Sequence, residues 1–228
     1  MNSGQATLYR NPDGIWRAPL LDAQPWLDHG FGTALAHPTG EWRELTQIHS
    51  AKVVGCDDWR EGQEADALVS AQPGIRIAVK SADCLPVLLA DPEKKAVAAV
   101  HAGWRGCVAG VVVRAVEQMQ LLFGSRPEAL LAAFGPSIRL CCFEVGLDVA
   151  QQFAPWFPEW ESGTAPTHVN LPEASRRQLV SAGLLAEHIS SNAPCTMCGG
   201  AIAEPQEFHS WRRNHTKGAR MHSVIWVK

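Results

Sequence analysis

Ile75, Ile77 and Val79 alternate with Arg76, Ala78 and Lys80, a period of two that predicts a strand with one buried face. Residues 85–90 follow as a continuous apolar run, Asp91-Pro92-Glu93-Lys94-Lys95 supplies turn chemistry, and residues 96–100 are apolar again. Residues 84–101 therefore read as an antiparallel hairpin. A turn centred near Glu93 makes opposing residue numbers sum to about 186, which sets Cys84 across from His101 or Ala102. Ala102-Gly103-Trp104-Arg105-Gly106 is then a glycine-containing turn that feeds a helix, because Val108, Val111, Val112, Ala115, Met119 and Leu122 recur at helical spacing.

Further along, residues 130–134 predict a strand broken by Gly135-Pro136. One helix is expected from near Leu147 to before Pro155, another over 172–182 with Asn170 as its cap, and a closing strand over 221–227. Residues 1–45 show little periodicity, with 15–21 suited to a strand or surface layer. Strands and helices mix without the strict alternation of a doubly wound sheet, and a hairpin lies at the centre. The expected fold is α/β (α+β), a mixed-sheet layered sandwich with helices packed on the sheets. No internal repeat interrupts it, and residues 1–228 read as a single domain.

Composition narrows the function classes. With 46% hydrophobic and 19% charged residues the chain is ordinary globular protein, which excludes disorder, collagen and coiled coil. The net charge is −3 and the basic residues are dispersed, so no nucleic-acid partner is expected. Apolar runs fall far short of the roughly 20 residues that span a bilayer, so no membrane is expected either. Residues 1–10 lack a basic region followed by an apolar run, which predicts no signal peptide and a cytoplasmic protein. Seven cysteines, an odd number, then read as reduced thiols and not disulfides. A chain of this length folds without metal staples, so any metal is expected to serve chemistry.

Ser81-Ala82-Asp83-Cys84 places a thiol at a strand entrance with His101 predicted opposite. Taken alone, a strand cysteine and a strand-end histidine are structural residues. Asp83 would raise the thiol's pKa, so a reactive thiolate needs imidazolium from His101 or a metal. His49, in Gln47-Ile48-His49-Ser50, reads by itself as a structural histidine, and no sequence geometry brings it to Cys84. Were it to arrive there, two imidazoles and a thiolate would make a three-ligand zinc site with an open fourth position. Gly103-Trp104-Arg105-Gly106 offers backbone N–H groups and a guanidinium to a phosphate or carboxylate, or is simply a tight turn with a surface arginine. Arg212-Arg213 and Arg220 add charge near the same pocket or lie on a solvated face. Cys195-Thr196-Met197-Cys198 lacks the second CxxC of a zinc ribbon and is read as structural, and Cys141-Cys142 as core and turn, with side chains opposed along an extended segment. There is no GxxxxGK[ST], GxGxxG or HExxH.

Taken in order, these segments resemble the laccase-domain family, also called multicopper polyphenol oxidase or YfiH-like. The match runs through Gln47-Ile48-His49, Ala65-Asp66-Ala67-Leu68, Ala82-Asp83-Cys84-Leu85-Pro86-Val87, the run from Ala99 to Gly106, Gly135-Pro136-Ser137-Ile138, Cys142-Phe143-Glu144-Val145-Gly146, Cys195-Thr196 and Ser210-Trp211-Arg212-Arg213, and covers about residues 40–228. The resemblance implies a zinc (Zn2+) site at His49, Cys84 and His101, with copper (Cu2+) as the lesser choice of metal. It also implies phosphorolysis of adenosine, inosine or methylthioadenosine and deamination of adenosine. In that scheme His49, Cys84, His101 and Asp83 are the catalytic set, with Asp83 or Glu144 as proton carrier. Ser81, Arg105, Gly106 and Glu144 would meet the nucleoside and phosphate. This chain departs from the family at Ser50, where glycine is usual, at Arg139, at His209 and at Gly218-Ala219-Arg220. Laccase chemistry needs a further copper cluster held by closely paired histidines, and the chain has no His-x-His. Two readings compete with nucleoside chemistry: a cysteine amidase acting on peptidoglycan precursors, with Cys84 as nucleophile and His101 as base, and a non-enzymatic zinc-dependent binding module.

Overall fold

The computed structural model describes residues 7–160, 167–199, 205–216 and 218–228. Part of the segment read for a signal peptide, residues 1–6, therefore lies outside the described residues. Among the described residues eleven strands form two sheets: β1 (Tyr9–Arg10), β2 (Trp16–Arg17), β3 (Leu27–Phe31), β4 (Val53–Gly55), β5 (Ala67–Ser70), β6 (Ile77–Ser81), β7 (Leu85–Asp91), β8 (Ala96–Ala102), β9 (Leu131–Phe134), β10 (Ile189–Ser190) and β11 (Met221–Val227). The smaller sheet runs β1-β2-β3-β11-β6 and is antiparallel throughout. The larger runs β10-β9-β7-β8-β5-β4, with parallel pairs only at its two edges.

β7 is buried along its whole length because both faces of the larger sheet are covered. Leu88, Ala90, Val97 and Ala99 point toward the smaller sheet, where they meet Phe31, Ile77, Val79 and Ile225. Val87, Leu89, Ala98 and Val100 point the other way, onto the helices. Those helices are chiefly α3 (Val111–Phe123) and α5 (Leu171–Ser181), with shorter turns at α1 (Pro19–Asp22), α2 (Trp104–Val108), α4 (Leu147–Ala150) and α6 (Trp211–Asn214). The molecule is the expected mixed sandwich: sheet, sheet, helices.

Three expectations need correction. The β7–β8 turn occupies four residues, 92–95, so Pro86 faces His101 and Leu85 faces Ala102, one step from the predicted register. The helix after His101 is two helices, because Gly110 takes φ 77° and ends the one-turn α2 before α3 starts. Residues 140–142 form a turn and not an extended segment, so Cys141 and Cys142 are not splayed to opposite sides. Asn170 does cap α5, its side chain accepting from the Glu173 amide at 3.2 Å.

Candidate metal centre

Strand ends bring the chemistry together where the space between the sheets opens. β6 ends at Ser81, β7 begins just after Cys84, and β8 carries His101 one residue from its end. Residues two apart on a strand share a face, so Cys84 sits on the same side as Pro86 and is a diagonal neighbour of its partner, His101. The predicted meeting of thiol and imidazole therefore survives the register shift.

His49 arrives on a loop that is pinned twice. Gln47 donates through Nε2 to the Lys80 carbonyl (2.7 Å) and accepts from the Lys80 amide (2.8 Å), which fastens the loop to β6. Asp66, fully buried just ahead of β5, accepts from the amides of Ile48 (3.3 Å), His49 (3.0 Å) and Ser50 (2.6 Å) and from the Ser50 hydroxyl (2.7 Å). His49 itself is held at φ 61°, a left-handed conformation that a non-glycine residue adopts only when its surroundings impose it. Ser50 thus adds a hydroxyl donor to the anchoring carboxylate.

The ligand atoms of His49, Cys84 and His101 all lie within 4.8 Å of one another, and Cys84 Sγ is 3.8 Å from His49 Nε2. Asp66 also takes the Nδ1 of His101 at 2.8 Å, which fixes the ring and leaves its Nε2 for the centre. Gly103 permits this approach: a Cβ there would fall 2.7 Å from His49 Cδ2 and 3.2 Å from Cys84 Sγ. Burial works against charge on either partner of the Cys84–His101 pair, yet each sustains the other. His101 and His49 bring the Cys84 thiol down to about 6, while Cys84 and Asp66 lift His101 to about 9. Two imidazole nitrogens and one thiolate at these separations suit a tetrahedral zinc-class ion with metal–ligand bonds of roughly 2.0–2.3 Å and one position open.

The centre lies in a cavity of about 610 Å³, the size of a small-molecule site. Ser81, Asp83, Cys84, His101 and Arg105 of the expected set line it, with His49. Arg212 and Arg220 also line it, so these two do not belong to a merely solvated face. Arg105 stacks on Trp104 at 4.2 Å and carries the cationic rim, whereas α2 behind it is only five residues and supplies little dipole.

Other members of the expected set do different work. Gly106 does not line the cavity; it lets α2 pack on the His49 loop, since a Cβ would sit 2.9 Å from the Ser50 carbonyl. Glu144 is exposed outside the lining and meets Arg212 through its backbone carbonyl, 2.8 Å away, which does not suit a proton carrier. Both oxygens of Asp83 are already engaged, with Thr196 Oγ1 (2.6 Å), Ser210 Oγ (3.0 Å) and the Arg212 amide (2.6 Å). That carboxylate points at the loops and not at the thiol, so it does not lift the Cys84 pKa as the sequence had suggested. His209 is not part of the lining.

Sequence reasoning gave Asp66 no role. Its full burial against His101 is the signal that marks it, and burial is not written in local sequence. His215 and Phe143 also join the cavity wall. The two cysteine pairs, read as structural, meet in space: Cys141, Cys142, Cys195 and Cys198 form one cluster.

A family model described as multi-copper polyphenol oxidoreductase laccase matches residues 29–228. A purine nucleoside phosphorylase of Deinococcus radiodurans is 40% identical over 200 residues, which span 86% of this chain and 74% of that one. A protein named adenosine deaminase RL5, from an unknown prokaryotic organism, is 35% identical over 80% of this chain and 73% of its own. The crystal structure of Bacillus licheniformis hypothetical protein YfiH superposes with a TM-score of 0.80 at 24% identity, covering 97% of this chain and 99% of that one, a likeness of fold.

Proposed function

Because this chain belongs to the multi-copper polyphenol oxidoreductase laccase family, we propose that it is a zinc-dependent purine nucleoside phosphorylase, acting on adenosine, inosine and methylthioadenosine, that also deaminates adenosine. The observation that carries this reading is the convergence of His49, Cys84 and His101 in a cavity rimmed by Arg105, Arg212 and Arg220. The names of its relatives, phosphorylases and one deaminase, support it.

The residues divide the work. His49, Cys84 and His101 would hold the ion, which when bound would supply Lewis acidity and bring the pKa of a water toward 7. Asp66 orients His101 and ties down the His49 loop. The arginines attract phosphate and hold it while one of its oxygens bonds to the ribose anomeric carbon and the bond to the base nitrogen breaks, its electron pair leaving with the base. Phe143, Ile138 and Leu171 give the base an apolar wall. Asp83 is a positioning residue that sets the loop bearing Trp211 and Arg212. Among the described residues the other group of metal-ligating side chains is all cysteine, so no paired-histidine cluster accompanies the centre as laccase chemistry would require.

The test is a metal-quantified assay of adenosine and inosine with and without phosphate. Base and sugar 1-phosphate should appear in equal amounts only when phosphate is present, and inosine should form from adenosine without it. Base release that ignores phosphate, or unchanged phosphorolysis in folded Cys84→Ala or His101→Ala protein, would contradict the proposal.

A second reading rests on the chain Cys84, His101, Asp66, which has the order of a nucleophile, base and orienting carboxylate. It makes the protein a cysteine amidase. An electrophilic amide analogue would then label Cys84 in metal-free protein and an acyl-enzyme would build up with amide substrate.

A further inference from the structure

We propose that Cys141, Cys142, Cys195 and Cys198 form a second metal site, a closed tetrathiolate for a zinc-class divalent ion that clasps the loop wall of the cavity. All four sulfurs lie within 4.8 Å of one another, and Cys141 Sγ is 3.5 Å from Cys198 Sγ. A tetrahedron built on metal–sulfur bonds of about 2.3 Å has edges of roughly 3.8 Å, so the four sulfurs already stand near its corners. Thiolate ligands alone select soft ions over calcium or magnesium.

The backbone builds this arrangement from segments more than fifty residues apart. Ser137 bridges to Cys195, accepting the Thr196 amide at 3.0 Å, and Arg139 reaches across to the carbonyls of Ser191 (2.9 Å) and Ala193 (3.0 Å). The turn at 140–142 is closed by the Cys142 and Phe143 amides, both donating to the Arg139 carbonyl, and it turns two adjacent thiols to one side. Opposite them, the Gly199 amide donates to the Cys195 carbonyl at 2.7 Å and curls the CxxC around its own centre. Only glycine fits there, since a Cβ would fall 2.4 Å from that carbonyl oxygen.

The clasp connects directly to the cavity. Thr196, inside the CxxC, donates its hydroxyl to Asp83, and Arg213 donates to the Thr196 (3.1 Å) and Met197 (2.9 Å) carbonyls. Asp83 in turn receives Ser210 and the Arg212 amide. Four protein ligands leave no open position, so this ion would hold structure, whereas the three-ligand centre keeps a place for substrate.

The experiment uses full-length protein purified under reducing conditions and loaded with zinc(II) or cobalt(II). Wild type should bind two equivalents. Cys84→Ala should keep one, with cobalt charge-transfer intensity of a tetrathiolate, and Cys198→Ser should keep the other. Should Cys198→Ser fail to fold, alkylation mapping on the Cys84→Ala protein decides instead. Its Cys141, Cys142, Cys195 and Cys198 should resist alkylation until a chelator strips the ion. The proposal is overturned if metal-loaded Cys84→Ala holds no ion and these thiols alkylate equally before and after chelation, or if protein purified under reducing conditions still retains a Cys141–Cys198 disulfide. A single equivalent retained by Cys84→Ala and lost in Cys198→Ser would support this site while contradicting the three-ligand one, so the two fail separately.

Discussion

Asp66 accepts five hydrogen bonds, four from residues 48–50 and one from His101; burial works against its charge, yet the His101 ring and the Ser50 amide and hydroxyl hold its carboxyl down to about 2. Asp66→Asn keeps the shape but sets an amide N–H₂ against donors. Zinc affinity, measured by chelator competition, should fall roughly 10–100-fold; an unchanged affinity in folded protein would remove Asp66 from the account. A second residue governs acid stability. His29 is buried and accepts the Ala18 amide on Nε2 at 2.9 Å, which requires a neutral ring, and burial reinforced by Arg17 lowers its pKa from 6.5 to about 4. The folded ring resists protonation more than the unfolded one. Its stabilisation is therefore complete above about pH 6.5 and is lost as pH falls through 4, on the order of 3 kcal/mol in all. Urea unfolding from pH 7 to 4 should show a steeper decline in wild type than in His29→Gln, and parallel curves would refute the assignment.

Among the elements, β6, β7, β8, β9 and β11 were legible because alternation or unbroken apolar runs ended in turn residues. The register slipped by one because the turn holds the four residues 92–95 and so centres between Glu93 and Lys94, a half-residue offset that composition does not encode. Short edge strands such as β4 and β10 have too few residues for any period to register. The same hairpin yields a prediction. Gly103 has φ −67°, so alanine suits the backbone there, but the new methyl would press on His49 and Cys84. Gly103→Ala should leave the melting temperature nearly unchanged while zinc affinity drops roughly tenfold or more. A large loss of stability with intact metal binding would show that the glycine serves packing instead.

At the scale of the molecule, the two sheets leave an opening at the ends of β6, β7 and β8, and the loops that wall it come from distant parts of the chain. Cys84 and His101 could be paired from sequence because one hairpin carries both. His49 could not, because its approach depends on Gln47 finding Lys80 and on Asp66 gathering three amides, contacts that exist only once the sheets have packed. The cysteine pairs read as structural because each alone lacks a partner pair, and only the Ser137–Cys195 bridge brings the two together. Overall charge is −3, yet Arg105, Arg212 and Arg220 ring the cavity, so local fields and not net charge decide which ligand enters.

Diffraction from crystals of the zinc-loaded protein, with data collected on either side of the zinc absorption edge, tests the account at its centre. An anomalous peak should lie between His49 Nε2, Cys84 Sγ and His101 Nε2, with a fourth position facing the cavity. Zinc-replete crystals with no anomalous density among those three side chains would contradict it, whatever the cysteine cluster holds.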